Sequence, residues 1–292
     1  MSGTLFCFGL GYSALRLACA LTREGWDVAG TCRTEEKRAE LEAEGITTYL
    51  MNHSEQPDPS VFDAATHALV SIPPDADGDP VARTFGDPLA RSERLQWLGY
   101  LSTTGVYGDK QGGWVDENTP VDPNTERGAR RVAAERAWLA LYQTQGLPVH
   151  IFRLAGIYGP GRNQLESVRA GNARRIVKPG QFFSRIHVDD IVRVLRASMA
   201  HPRPGAVYNV CDDEAAPPQD VVAYAAQLLG VDAPPEIPFE EARLTPMARS
   251  FYADNKRVRN DRIKTELGVS LAYPTYREGL EALVRTLASE RA

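Results

Sequence analysis

The chain has 292 residues, 43% of them hydrophobic, and a formal net charge of −5, which leaves room for one large α/β domain or a main domain with a smaller partner. That acidic balance excludes general binding of nucleic acid or of an anionic membrane surface, so any site for a polyanion must be local. Cys7, Cys19, Cys32 and Cys211 form no CxxC pair, the five histidines show no ligand spacing, and no apolar run reaches the ~18 residues of a membrane span; these absences argue against a metal centre, a disulfide framework and a spanning helix.

In chain order, "MSGTLFCFGLGYSALRLACAL" lacks the basic start of a signal peptide and reads as strand, turn and helix. "TLFCFG" is the first strand. "YSALRLACALTREG" spaces Leu15, Ala18 and Leu21 on one helix face and stops at Gly25. "WDVAGT" is a second strand, and "TEEKRAELEAEG" a second helix with Thr34 as N-cap and Gly45 as stop. The strands "ITTYL", "HALVSI", "WLGYLST" and "VHIFRLA" follow, with a helix through "RRVAAERAWL" before the last. Residues 159–185 read as loop-rich, "VDDIVRVLRASMA" as a helix and "AVYNVC" as a buried strand. After Asp212 the prolines Pro217, Pro218, Pro234, Pro235 and Pro238 predict an irregular stretch, closed by helices near Arg259 to Leu267 and Tyr276 to Leu287. Alternating short strands and helices predict β-α-β units wound on both faces of a parallel sheet. The expected limits are residues 1–158 with 187–212 for the sheet domain, and 159–186 with 213–292 for a smaller interleaved lobe.

"FGLGYSA" puts Gly9 and Gly11 at the end of the first strand and Ala14 in the first helical turn, a G-x-G-x-x-A pattern. Gly9 permits the tight turn, Gly11 lets backbone approach a pyrophosphate, and Ala14 lets helix pack close to strand. Its place at the head of a β-α-β unit points to dinucleotide binding. An acidic residue about 20 positions on would grip a ribose 2′-hydroxyl; here Gly30, Thr31, Cys32 and Arg33 stand there instead. A guanidinium suits a 2′-phosphate, so NADP is expected in preference to NAD, unless Arg33 simply pairs with Glu35 or Glu36.

"YLSTTGVYGD", "DENTPVDP", "RRVAAERAWL", "RLAGIYGPG", "RIHVDDIVRVL" and "YNVCDD", in that order through almost the whole chain, resemble the extended short-chain dehydrogenase/reductase, or NAD-dependent epimerase/dehydratase, family, and most of all its atypical branch. The resemblance implies an α/β fold: a doubly wound parallel Rossmann sheet with a smaller interleaved C-terminal substrate lobe. The family's active site uses a Ser or Thr, matched by Thr103 (Thr104 in the other register), and a Tyr-x-x-x-Lys in which lysine lowers the tyrosine pKa for proton transfer. Alignment on P-x-x-x-Tyr-x-x-x-Lys-x-x-x-Glu puts Arg127 at the tyrosine, Arg131 at the lysine and Glu135 at the glutamate. Arg131 can still donate to the nicotinamide ribose, but a guanidinium with a pKa above ~12 cannot cycle a proton. Together the two arginines suit a ligand carboxylate or phosphate, unless they pair with Glu126, Glu135 or Asp122; Tyr107 and Asp109 in "VYGD" are then the nearest candidates for proton transfer. Arg162, Arg169, Arg174, Arg175, Lys178 and Arg185 face a single acid, Glu166, in the segment that the family lays over its substrate, making Arg162 and Arg185 candidate ligand contacts. "HVDD" is a structural strand-to-helix junction in the family. The implied function is an NADP-dependent cytoplasmic epimerase, dehydratase or reductase acting on a small anionic or nucleotide-sugar-like substrate; the alternative is a non-catalytic NADP-binding sensor or regulator. A homodimer stays open as an assembly state.

Overall fold

The computed structural model describes residues 3–289. Its elements begin β1 (Thr4–Phe8), α1 (Tyr12–Arg23), β2 (Asp27–Cys32), α2 (Glu35–Ala43), β3 (Thr47–Leu50), β4 (His67–Val70), α3 (Pro80–Ala90), β5 (Trp97–Thr103), β6 (Trp114–Val115), α4 (Glu126–Gln145) and β7 (Val149–Leu154). They continue with β8 (Gly156–Tyr158), α5 (Gln164–Arg169), β9 (Arg175–Val177), β10 (Arg185–His187), α6 (Val188–Ala200), β11 (Val207–Val210), α7 (Pro218–Leu229), β12 (Glu236–Pro238), α8 (Pro246–Phe251), β13 (Arg257–Val258), α9 (Asp261–Thr265) and α10 (Tyr276–Ser289). No helix among the described residues is long and apolar enough to cross a membrane.

Two compact units share these elements. The first takes Met1–Thr103, Ala129–Arg153 and Val194–Tyr208; the second takes Thr104–Gly128, Leu154–Arg193 and Asn209–Ala292. This division differs from the limits expected from sequence pattern, chiefly in assigning residues 104–128 to the second unit.

The first unit is built on a seven-stranded sheet of order β11-β7-β5-β4-β1-β2-β3. β1 pairs in parallel with both β2 and β4, so the strand order reverses beside it. β4 and β7 are buried at every position, as strands covered on both faces must be. Register separates the faces: Leu5, His67 and Trp97 align on one, Phe6, Ala68 and Leu98 on the other. The second face gathers Phe6, Phe8, Phe62 and Phe85 into an aromatic cluster. On the first face Trp26, His67, Trp97 and His150 form a row of rings 5.0–6.1 Å apart.

Helix α1 lays Ala14, Leu17, Ala18 and Leu21 against this sheet. Leu17, not Leu15, holds the inner face, because the sequence offers both and the exact angle of docking chooses. Thr34 caps α2 by accepting from the Lys37 amide, as its position predicts. Helix α4 is tied to the sheet by a buried cluster: Arg153 on β7 donates Nε and Nη2 to the Glu135 carboxylate at 2.7–3.2 Å, and Ser102 on β5 donates its hydroxyl to the same group.

In the second unit α5, α7 and α10 pack through Leu165, Val221, Ala225, Tyr276 and Leu280. Three two-stranded parallel pairs, β8 with β10, β9 with β12 and β6 with β13, complete it. Helix α7 corrects the expectation of an irregular stretch after Asp212. Pro217 is its N-cap and Pro218 opens its first turn, where a missing N–H costs nothing and the fixed φ already suits a helix. Helix α3 was hidden in the same way, starting at Pro80 behind an Asp79 cap that accepts from Val81 and Ala82.

Two predictions follow from the first unit. Burial lowers the pKa of both His67 and His150 from 6.5 to about 4, so the folded chain holds them neutral while the unfolded chain protonates them. Their stabilisation is complete above pH 6.5 and is lost as pH falls through the folded values near 4, on the order of 3 kcal/mol each. Urea midpoints should therefore drop between pH 6.5 and 4.5, and replacing both histidines by Phe should flatten that slope. Separately, Arg153→Met leaves a lone buried carboxylate and should cost about 3–5 kcal/mol in urea unfolding, whereas Glu135→Leu added to it should recover most of the loss.

Candidate functional site

At the end of β1 the chain turns through Gly9 at φ +90°, a conformation open to glycine. The Gly9 amide donates to Thr31 Oγ1 at 2.8 Å, and its carbonyl accepts from Ser71. A Cβ here would lie 2.8 Å from Ile72 Cγ1 and 3.0 Å from Ser71 Oγ. Gly11, the N-cap of α1, is the opposite case: it is exposed, caps with no side chain, and a Cβ on it would meet nothing within 4 Å. The first turn of this 12-residue helix carries no acid, and Ala14 is fully buried beneath it. Open space at Gly11 in front of uncapped helix amides is a cradle for a phosphate, and a dinucleotide fits it.

At the tip of β2, Thr31 and Cys32 are buried and Arg33 is exposed. Glu35 is taken by Arg38 at 2.7 Å, and Arg33 forms no ion pair among the described residues. The pairing of Arg33 with Glu35 or Glu36 does not form among the described residues.

Arg127 and Arg131 of helix α4 contact groups other than Glu135 and Asp122. In the first unit Arg131 donates Nη1 to the Tyr100 hydroxyl at 3.1 Å and to the Leu101 carbonyl. In the second unit the Arg127 guanidinium lies over the Phe251 ring, 4.6 Å from its centroid. Glu135 is occupied by Arg153 and Ser102, and Asp122 by Lys110 at 3.6 Å, so the network joining the arginines to these two acids does not form.

The proton-transfer candidates fare differently from their sequence reading. Thr103 ends β5, half-buried. Tyr107 has no exposed surface, and its hydroxyl donates to Asn209 Oδ1 at 2.8 Å. It is a packed scaffold residue, because the turn after β5 carries it inward. Asp109 spends Oδ1 on the Gln111 and Asn255 amides, bracing a loop. Tyr100, which the sequence did not single out, is also fully buried, and burial pushes its phenol up in pKa while Arg131 opposes the shift.

Among the second-unit cations, Arg162 closes a tight turn with Gly159 through its backbone and leaves its side chain exposed. Arg185 donates Nη1 to the carbonyls of Phe183 and Ala216. Asp212, 2% exposed, lies in its field; burial holds that carboxyl well above the usual carboxylate range, with Arg185 opposing. At the β10–α6 junction His187 Nδ1 accepts from the Asp189 amide, and Asp190 caps the Ala272 and Tyr273 amides, the structural role expected of "HVDD". None of the four cysteines is bonded to another.

The profile of the NAD dependent epimerase/dehydratase family matches residues 89–211. Over that segment the chain resembles this family. A solved structure of a functionally unknown conserved protein from Silicibacter pomeroyi DSS is 55% identical, covers 98% of this chain and 99% of its own, and superposes with a TM-score of 0.90. Protein YeeZ of Escherichia coli (strain K12) is 29% identical over 91% of this chain and 94% of its own length. UDP-glucuronic acid 4-epimerase from Bacillus cereus in complex with NAD, at 17% identity, shares the fold with a TM-score of 0.78 over 98% of this chain and 99% of that one.

The structure gives the Arg127 and Arg131 guanidiniums different partners. Gly11→Val should abolish dinucleotide binding while leaving the urea midpoint unchanged, since the space it fills is outside the core. Gly9→Val should lower that midpoint as well, because it strains a left-handed φ and collides with Ile72. Equal loss of stability in the two variants would contradict the cradle.

Proposed function

We propose that the protein binds NADP(H) and acts as an epimerase, dehydratase or reductase of its family on a small anionic or nucleotide-linked substrate, with Arg127 anchoring the anion where the family has tyrosine. The observation that carries this reading is the Arg127 guanidinium, which lies over an aromatic ring and forms no ion pair among the described residues. When bound, the dinucleotide supplies hydride chemistry. The chain's part is to hold it: α1 amides at Gly11 for the pyrophosphate, Arg33 for a 2′-phosphate, and the Arg131 donors not engaged by Tyr100 and Leu101 for a ribose hydroxyl. Half-buried Thr103, or Thr104 in the other register, supplies the hydroxyl of the family's Ser/Thr position. Arg162 and Arg185 are further cations for the substrate's charge.

A second reading, a non-catalytic NADP sensor or regulator, is favoured by the same substitution. A guanidinium cannot relay a proton near neutral pH, and both Tyr100 and Tyr107 are sealed in the core.

Arg33→Ala should weaken NADP binding about tenfold or more, roughly 1.5–3 kcal/mol for a charge-assisted bond, and leave NAD binding nearly unchanged; equal losses would refute the 2′-phosphate role. Arg131→Ala should weaken NADP binding, whereas Arg127→Ala should spare it. To separate enzyme from sensor, hydride transfer to NADP is measured for nucleotide sugars and hydroxy acids, with the natural chain and with the Arg127→Tyr, Arg131→Lys pair. Turnover that appears only in the double variant supports the sensor; turnover by the natural chain supports an enzyme with its base elsewhere.

A further inference from the structure

The second unit carries an exposed apolar feature beside Arg127. Helix α8 has no buried residue on it, and presents Met247 at 67% and Phe251 at 49% exposure. Its ends are nevertheless fixed. Thr245 caps the Ala248 amide, and Tyr252 packs with Ile176 and Ala242 while its ring meets Phe183 and Phe239 at 5.3 and 5.1 Å. The helix is thus held in place with its two large apolar side chains turned to water. Phe251 lies under the Arg127 guanidinium, and that cation has no carboxylate partner among the described residues.

A guanidinium over an exposed ring is in a weak contact, and a ligand carboxylate would replace or join it with a stronger, charge-assisted pair. The surface next to that carboxylate is then the Phe251 face and the Met247 thioether, one rigid and flat, the other able to adapt its shape. Ligand hydroxyls set against these groups would lose their water without gaining partners, whereas an aromatic ring or acyl chain would be covered favourably. We infer that the anion held by Arg127 is an amphiphilic acid, an aryl or acyl carboxylate whose head meets Arg127 and whose body covers Phe251 and Met247, rather than a nucleotide sugar. This rests on the proposed reading of Arg127 as an anion anchor.

The test titrates the NADP-loaded protein with cinnamate, acetate, cinnamyl alcohol and UDP-glucose by calorimetry. Cinnamate should bind at least tenfold more tightly than acetate, which lacks the body, than cinnamyl alcohol, which lacks the charge, and than UDP-glucose. Phe251→Ala and Met247→Ala, both at exposed positions, should each weaken cinnamate severalfold and leave acetate unchanged, with Phe251→Leu retaining most of the affinity. Arg127→Gln should weaken both carboxylates at least tenfold. Equal affinity for cinnamate and acetate, no binding of cinnamate, or indifference of cinnamate to Phe251→Ala overturns the amphiphilic ligand. If UDP-glucose binds more tightly than cinnamate and Arg127→Gln abolishes it, the inference fails while the anion anchor stands. If Arg127→Gln changes neither ligand, the anchor itself fails, and NADP affinity measured on the same samples reports on the cofactor site independently.

Discussion

The buried pair of Glu135 and Arg153 decides how helix α4 lies on the sheet of the first unit. Both side chains are nearly sealed from water, and each has its charge answered by the other in a forked contact, with Ser102 filling a remaining acceptor site. Such a pair adds little net stability against an apolar replacement, because desolvation offsets much of the attraction. What it does impose is geometry. A forked guanidinium–carboxylate contact tolerates little rotation, so α4 is pinned to β5 and β7 at one angle about its axis. One turn earlier on the same stripe, Arg131 falls against Tyr100 and the Leu101 carbonyl.

The cofactor loop divides its demands between two glycines that look equivalent as letters. Gly9 serves the fold: its φ is positive, its amide and carbonyl are tied to β2 and to the residue after β4, and a side chain would strike that neighbour. Gly11 serves the ligand, since a side chain there would meet only the space in front of the helix amides. The reversal of strand order beside β1 sets this loop where open α/β sheets leave room for ligands.

On the proposed reading that Arg127 stands where the family has tyrosine, it equips the second unit for charge recognition rather than proton transfer. A guanidinium keeps its proton throughout the physiological range, so it can hold and orient but not exchange. The cation–π contact with Phe251 gives Arg127 a resting partner that does not neutralise it, unlike a carboxylate. Arg185 differs, sharing its field with buried Asp212 and giving Nη1 to two backbone carbonyls.

Pattern and turn chemistry made much of the architecture legible. The alternating strands and helices, the Thr34 cap, the Gly9–Gly11 turn and the strand-to-helix junction at His187 depend on period, φ and capping within a few residues, and these are local properties of the chain. Helices α3 and α7 were obscured because a proline that opens a helix and a proline that breaks one are the same letter. The partners of the charges were beyond reach for a different reason. Glu135 could as well have met Arg131 one turn away as Arg153 on another strand, and whether Tyr107 faces a ligand or the core depends on segments distant in the chain. The sequence by itself determined the winding of the sheet, the Gly9–Gly11 turn at the head of α1 and the arginines at 127 and 131. Only the tertiary structure decided that Arg127 meets Phe251 and that Tyr107 is sealed away, because those outcomes turn on which distant segments exclude water from one another.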